Sequence, residues 1–407
     1  MNGLRWKTKA LCWAAGLAAS AMLALLTGCG SSGGGRPAAA AHAQPLDYGW
    51  SFACAITNSA IDLSDRSQCQ ERVALAYLAA GEVEKARACA LQIEDWQKGM
   101  ALAKVAEWYA VHGQAAKAEA MLPELEACGF IAKDWQRDWL RVAITRVRAL
   151  LGRDQEVIQS VSNFAGHANL GGDAAASLAL MLARTGQVDD AKTVLSNLAR
   201  MNGLDAAASR AQGYLDLVAA GRLDPKTAPD VLTNAWDATD RIKPYRRWEV
   251  QMTVIEAMAT HDLAAEAREH LEEVASNVVA TVKLPPEVRA SILSQGALLW
   301  KRLGEPQRGV DLLHAAEQTV TNKLEVIFQP EAYAKLAEGY AAAGDAAQAH
   351  ALYTRALDIA AGLVNRRPRA IAGVDVCVSL AGHTEVIDTG IQERLDRLLA
   401  RFNATVP

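Results

Sequence analysis

Aromatic residues make up only 6% of this 407-residue chain, and no long segment alternates Val, Ile or Thr with polar residues. A β-sandwich or barrel therefore has nothing to be built from. Basic excess is also missing. The formal charge is −4 and the isoelectric point about 6.1, which excludes the basic footprint of a nucleic-acid binder. Catalytic and ligating signatures are absent as well. There is no His-Glu-x-x-His, no CxxC, no Gly-x-Ser-x-Gly, and no P-loop Lys after Gly171-Gly172-Asp173. The eight His residues are scattered. His112 and His261 fall at turns, and His270 with Glu266 reads as a surface i, i+4 pair, not a metal site. Paired carboxylates such as Glu272-Glu273 fall on a solvated face. The chain is read as a non-enzyme with no catalytic residue, cofactor or metal.

What is abundant is alanine, within an apolar content of 51%. Ala is the best helix former, and small residues let helices approach closely. Pro is rare inside the body, so the composition predicts an all-α protein. A chain of this length holds two or three ordinary domains or one long solenoid.

The first residues follow a different pattern. Arg5, Lys7 and Lys9 precede an apolar run from Ala10 to Leu26, closed by Leu26-Thr27-Gly28-Cys29. The run is shorter than the roughly 20 apolar residues of a spanning helix, and reads as a cleaved export signal over 1–28. A plain secretory signal is the alternative, but it would not require Cys at this point. The last four residues resemble the bacterial lipobox, in which the cysteine thiol takes up a diacylglyceryl group. The resemblance implies a palmitoylated, lipid-anchored lipoprotein with Cys29 as the attachment site. Gly30 is not the Asp associated with inner-membrane retention, so in a Gram-negative cell the implied place is the periplasmic face of the outer membrane. Gly30–Pro45 is rich in Gly, Ser, Ala and Pro and reads, within a 29–46 segment, as a flexible tether. A coil of that length would span roughly 22 Å. Residues 47–65 read as an N-terminal cap.

Glu331–Leu363 carries the body's organising pattern. Tyr333, Leu336, Ala337 and Tyr340 share one helix face, Gly344 ends that helix, Asp345 is placed to cap the next, and Ala349, Tyr353, Ala356 and Leu357 share its inner face. This spacing resembles the tetratricopeptide repeat. Turn residues recur at Gly81, Gly113, Gly152, Gly186, Gly221, Asp262, Gly304, Gly344 and Gly382, at intervals of 32 to 42 residues. The resemblance implies a superhelical array of antiparallel helix hairpins, a TPR-like α-solenoid of about nine hairpins over 66–402. The units around Gly152, Gly221 and Gly382 fit least well. Leu223–Pro229, Asp240–Tyr245 and Leu284-Pro285-Pro286 read as loops leading into new helices.

Asp95-Trp96-Gln97-Lys98 returns as Asp134-Trp135-Gln136-Arg137. Each Asp reads as an N-cap, and each Trp as a seal between neighbouring hairpins. Five cysteines remain beyond Cys29. Cys54–Cys69 is the favoured disulfide in an exported chain, Cys89–Cys128 is a second pairing, and a fully reduced set stays open; Cys377 falls on an apolar helix face. In tetratricopeptide arrays the first helix of each unit lines a groove. Carried over, that implies a partner-binding row of Glu71, Met100, Glu107, Trp139, Arg146, Met252, Glu256, Lys301, Arg302, Glu331 and Glu338. The resulting expectation is an envelope scaffold or adaptor that binds protein partners and assists assembly. The alternatives are an envelope glycan- or peptidoglycan-acting enzyme with a solenoid body, and a self-assembling structural protein.

Overall fold

A computed structural model describes residues 38–164, 167, 170–200, 205–281 and 283–403. Cys29 and the export signal lie outside the described residues. Within them the secondary structure is helical, with no strand. In chain order the helices are α1 (Ala38–Ala55), α2 (Leu63–Ala79), α3 (Val83–Leu91), α4 (Gln97–Val111), α5 (Ala115–Ile131), α6 (Asp134–Leu151), α7 (Asp154–Phe164), α8 (Leu170–Arg184), α9 (Val188–Leu198) and α10 (Ala206–Ala219). They continue as α11 (Ala228–Ala238), α12 (Pro244–Thr260), α13 (Ala264–Ala280), α14 (Pro286–Arg302), α15 (Pro306–Lys323), α16 (Gln329–Ala343), α17 (Ala346–Gly362), α18 (Arg366–Leu380) and α19 (Thr389–Asn403). None is long and apolar enough to cross a membrane.

Turn chemistry sets the helix ends. Gly81, Gly113, Gly152, Gly186, Gly221, Gly304 and Gly344 all have positive φ, between 65° and 103°. Only glycine takes this left-handed conformation without a Cβ penalty. Asp262, in the same phase, is the non-glycine residue at positive φ among the described residues, 58°, a conformation that Asp tolerates better than most side chains. Gly382 does not join them: a 3₁₀ turn at Thr384–Val386 follows it, and α19 starts only at Thr389. Asp345 caps α17 as expected, accepting from Gln348 N at 3.0 Å. Prolines open α11, α12, α14, α15 and α16 at their first turns, where the missing N–H costs nothing. The capping assigned to Asp95 and Asp134 differs: Asp134 is the first residue of α6, and Gln136 reaches back to Lys133 N at 2.8 Å instead.

The chain divides into two compact units where the sequence read as one continuous array. Among the described residues, unit 1 takes those within 96–267, and unit 2 takes those within 38–95 and 268–403. In unit 1, α4, α6, α8, α10 and α12 pack successively on one another, while α5, α7, α9 and α11 lie against their neighbours in a second layer. The core is built from small residues and leucines, such as Ala101, Leu102, Ala118, Leu140, Ala174, Leu195, Ala211 and Leu232, each 0% exposed.

Unit 2 repeats this stacking through α14, α16 and α18. Tyr333, Leu336, Ala337, Tyr340, Ala349, Tyr353 and Ala356 are all 0% exposed, so the tyrosines of the repeat pattern are packing residues. At the end of the unit the order changes. Helix α1 packs on α18, α2 and α19, and α19 packs on α17. The helix opposite α18 therefore comes from the other end of the sequence. A Cβ at Gly373 would lie 2.6 Å from Phe52 Cδ2, and one at Gly49 would lie 3.1 Å from Cys377 Cβ, so glycines let the two helices cross closely. Phe52 also meets Phe402, ring centroids 5.7 Å apart. Tyr48 donates to Asp396, and Tyr77 donates to Asp47. Two expectations change here. The segment read as tether is helical from Ala38, because a run of alanines favours helix over coil. And the segment read as an N-terminal cap, residues 47–65, is built into unit 2: Phe52, Ala53 and Ile56 are 0%, 0% and 1% exposed.

The five described cysteines are free thiols. Cys54 and Cys69 do not form the favoured bridge, and Cys54 instead receives a hydrogen bond from Gln70 Nε2 at 3.6 Å. Burial pushes the Cys69 and Cys89 thiols up to about 12 and raises Cys377 further. They remain protonated and inert, because only the thiolate is a nucleophile or ligand.

Candidate functional site

The first-layer helices of unit 1 carry an ionic seam. Glu107 on α4 and Arg146 on α6 each stand six residues before their turn glycines, Gly113 and Gly152, so equivalent phases bring them together. Arg146 Nε lies 3.3 Å from Glu107 Oε2, and its Nη2 donates to Asp216 Oδ1 on α10 at 2.9 Å. The guanidinium thus bridges from α6 to α10, past α8, whose residue at this phase is the buried Leu180. Lys104 Nζ adds 2.9 Å and 3.0 Å bonds to Glu107, and Gln212 donates to Asp216 at 3.1 Å. Glu107 and Asp216 are 1% and 4% exposed. Burial works against the charge on Arg146, but Asp216 and then Glu107 more than offset it, so its pKa is held above the ordinary value. Such pairs are favourable only when every charge is matched.

A second group lies along α8, α10 and α12. Ser209 donates to Asp173 Oδ1 at 2.5 Å, and Arg246 pairs with Asp205. Burial raises the Asp173 pKa against the opposing pull of Ser209 and Arg246. Burial also pushes Glu249 up to about 7, with Arg246 the counteracting charge. Desolvation with too little compensation keeps a carboxyl protonated.

Unit 2 has its own inner polar groups. Arg72 on α2 pairs with Asp375 on α18, and Asp375, then Cys69 and Glu331, outweigh burial to raise the Arg72 pKa. Lys335 Nζ lies 2.8 Å from Glu338 Oε2. Burial acts to raise the Glu338 carboxyl, but Lys335, His383 and Ser379 together hold it below its ordinary value. Ser379 Oγ is 2.9 Å from Tyr353 Oη and donates to Ala334 O at 3.0 Å, tying α18 to α16 and α17.

The residues projected onto a groove therefore have different fates. Glu107 and Arg146 are joined to each other in unit 1, and Met252 is buried at 3% exposure. Trp139 packs against the cluster of Val142, Phe164, Leu170 and Ala174. Met100, Glu256, Glu71, Glu331 and Glu338 are half-buried. Lys301 and Arg302 are exposed, Lys301 donating to Ala342 O at 2.5 Å. Trp96 and Trp135 meet edge to face with centroids 5.5 Å apart, which joins the lead-in turns of α4 and α6 as the recurrence predicts. Sequence reasoning missed Lys104, Asp173, Asp216 and Glu249. Lys104 was findable, three residues from Glu107 on the same face. Asp216 was not, because its partner is 70 residues distant.

The arrangement can hold and orient polar or charged groups. Among the described residues, no group of three His, Cys, Asp or Glu could hold a metal ion. No protein-family profile matches the chain, and no curated protein is significantly similar to it.

Proposed function

We propose that this chain is a lipid-anchored envelope scaffold whose TPR-like hairpins, about nine of them, bind protein partners along their first helices. The reading is supported by the common phase of the left-handed turns and of Glu107, Arg146, Glu256 and Glu338, each six residues before its turn residue. Within unit 1 the shared phase joins Glu107 on α4 to Arg146 on α6. Recognition would use the pre-ordered ion pairs of this row, with rigid geometry lowering the entropy lost on binding. Cys29 would fix the chain to the outer membrane's periplasmic face. A charge-reversed Glu331→Lys form, compared with parent and Cys29→Ser forms, tests both parts. Cys29→Ser should move to the soluble exported fraction with its partner still bound. Glu331→Lys should stay at the membrane and lose the partner. Membrane retention of Cys29→Ser refutes the anchor, and equal partner recovery by Glu331→Lys refutes binding along the first helices.

Turnover of a peptidoglycan or glycan substrate would replace the scaffold reading with the enzyme alternative. Self-assembly through the last helix has less support, since α19 buries Ile391, Leu395 and Leu398 and turns Glu393, Asp396 and Arg397 outward.

A further inference from the structure

Helices α5, α6 and α7 of unit 1 border a cavity of about 640 Å³, within the roughly 300–1,000 Å³ range of small-ligand sites. Its floor is apolar. Leu140, Ile144 and Phe164 line it at 0%, 5% and 4% exposure. Phe130 also lines it but is 85% exposed. A phenyl ring left in water forgoes the gain of burial, so a molecule that covers Phe130 gains apolar contact that the protein itself does not make.

The wall has a sign. It carries three guanidinium groups, Arg137, Arg141 and Arg148, and two carboxylates, Glu126 and Asp138. Arg148 is committed, 2.7 Å from Glu126 and 2.9 Å from Glu156. Arg137 donates Nε to Gly129 O at 3.0 Å and Nη2 to Ala132 O at 3.2 Å, which are neutral partners. Its carboxylate contact, Asp134, is 3.5 Å away and 98% exposed. Arg141 reaches Asp138 only at 3.4 Å, with 61% of its side chain exposed. Such solvated pairs are weak, so positive charge is left to act on what enters. Ser160 adds a neutral hydrogen-bonding group at the edge.

We infer that this cavity binds a small amphipathic carboxylate, its apolar body laid between Phe130 and the Leu140–Ile144–Phe164 floor and its carboxylate facing Arg141 and Arg137. A guanidinium presents two parallel N–H donors to a carboxylate, which orients it as well as attracting it. An alkylammonium meets a wall with more guanidinium groups than carboxylates and is disfavoured. A neutral alcohol gains the apolar contact without the charge. This site is independent of the scaffold reading and uses none of the residues on which that reading rests.

The test is isothermal titration of the full chain with decanoate, decan-1-ol and decylammonium. Decanoate should bind saturably at one site, at least tenfold more tightly than decan-1-ol, with decylammonium weakest. Arg141→Glu should weaken decanoate at least tenfold and shrink its advantage over decan-1-ol. Phe130→Ala should weaken decanoate and decan-1-ol by similar factors. Both changed side chains are mostly exposed, so an unchanged circular-dichroism spectrum is expected and folding is not at issue. Absence of saturable decanoate binding, equal binding of decylammonium, or binding that neither substitution alters would overturn the assignment.

Discussion

Replacing Arg146 by Met separates the ionic seam's charge from its shape. The substitution keeps an unbranched apolar side chain but removes the guanidinium that lies 3.3 Å from Glu107 and 2.9 Å from Asp216. Those carboxylates are 1% and 4% exposed, so water cannot readily replace the lost cation. Breaking a buried pair by deleting one partner costs roughly 3–5 kcal/mol. Two features move the figure to the low end. The Arg146 side chain is 16% exposed, and Lys104 stays 2.9 Å from Glu107. The expected loss is about 3 kcal/mol. Removing all three charges in Glu107→Gln, Arg146→Met, Asp216→Asn should cost less than the single change, about 1 kcal/mol, because no buried charge is stranded. Urea unfolding gives the energies, and hydrogen exchange shows whether amides of residues 97–260 lose protection. A single variant within 1 kcal/mol of the parent, or a triple variant as unstable as the single one, would refute the argument.

Two further outcomes follow from particular contacts. Burial raises Glu249 from its ordinary 4.5 to about 7, so its share of the stability is complete below pH 4.5 and is lost as pH rises toward 7, where the unfolded chain ionises more readily. Glu249→Gln should therefore stabilise the protein by about 3 kcal/mol at pH 8 and leave it unchanged at pH 4; urea midpoints at the two pH values check the sign. Gly373→Ala places a Cβ 2.6 Å from Phe52 Cδ2, an overpacking that costs about 1–3 kcal/mol. Adding Phe52→Leu should restore part of that loss, measured as a double-mutant cycle.

Local chemistry made much of the fold legible. The turn glycines needed left-handed backbone, and a recurring Gly in an alanine-rich helical pattern announces that need without knowledge of the tertiary structure. Asp262 could be placed in the same phase for the same reason. Gly382 shared the spacing but not the conformation, because the helix opposite α18 is α1 and no tight turn to α19 is required. That substitution joins sequence ends more than 300 residues apart, and nothing in a local pattern encodes it. The candidate site divides in the same way. Glu107 and Arg146 were readable because repeat phase aligns them. Asp216 was not, since α8 breaks the row with Leu180 and the bond passes to the next helix. The cavity beside Phe130 was invisible, because a void is set by what three helices fail to fill.

Helix α1 carries the consequence that the sequence pattern conceals most completely. Leu46, Phe52 and Ile56 bring three large side chains, each at most 1% exposed, against unit 2, each worth about 1.5–3 kcal/mol of burial. Together that is about 5–9 kcal/mol, comparable with the roughly 5–15 kcal/mol that holds a whole domain folded. A chain starting at Ser59 would lose these contacts and uncover Gly373, Cys377 and Phe402 on α18 and α19. Arg366 would also lose its acceptor, Ala55 O, now 2.8 Å away. Among the described residues, unit 1 takes none from this segment. Hydrogen exchange on the shortened chain should show α18 and α19 exchanging at least a hundredfold faster while α6, α8 and α10 keep their protection. Equal protection of α18 with and without residues 38–58 would show that α1 is an appendage, and that unit 2 is complete from residues 59–95 and 268–403 alone.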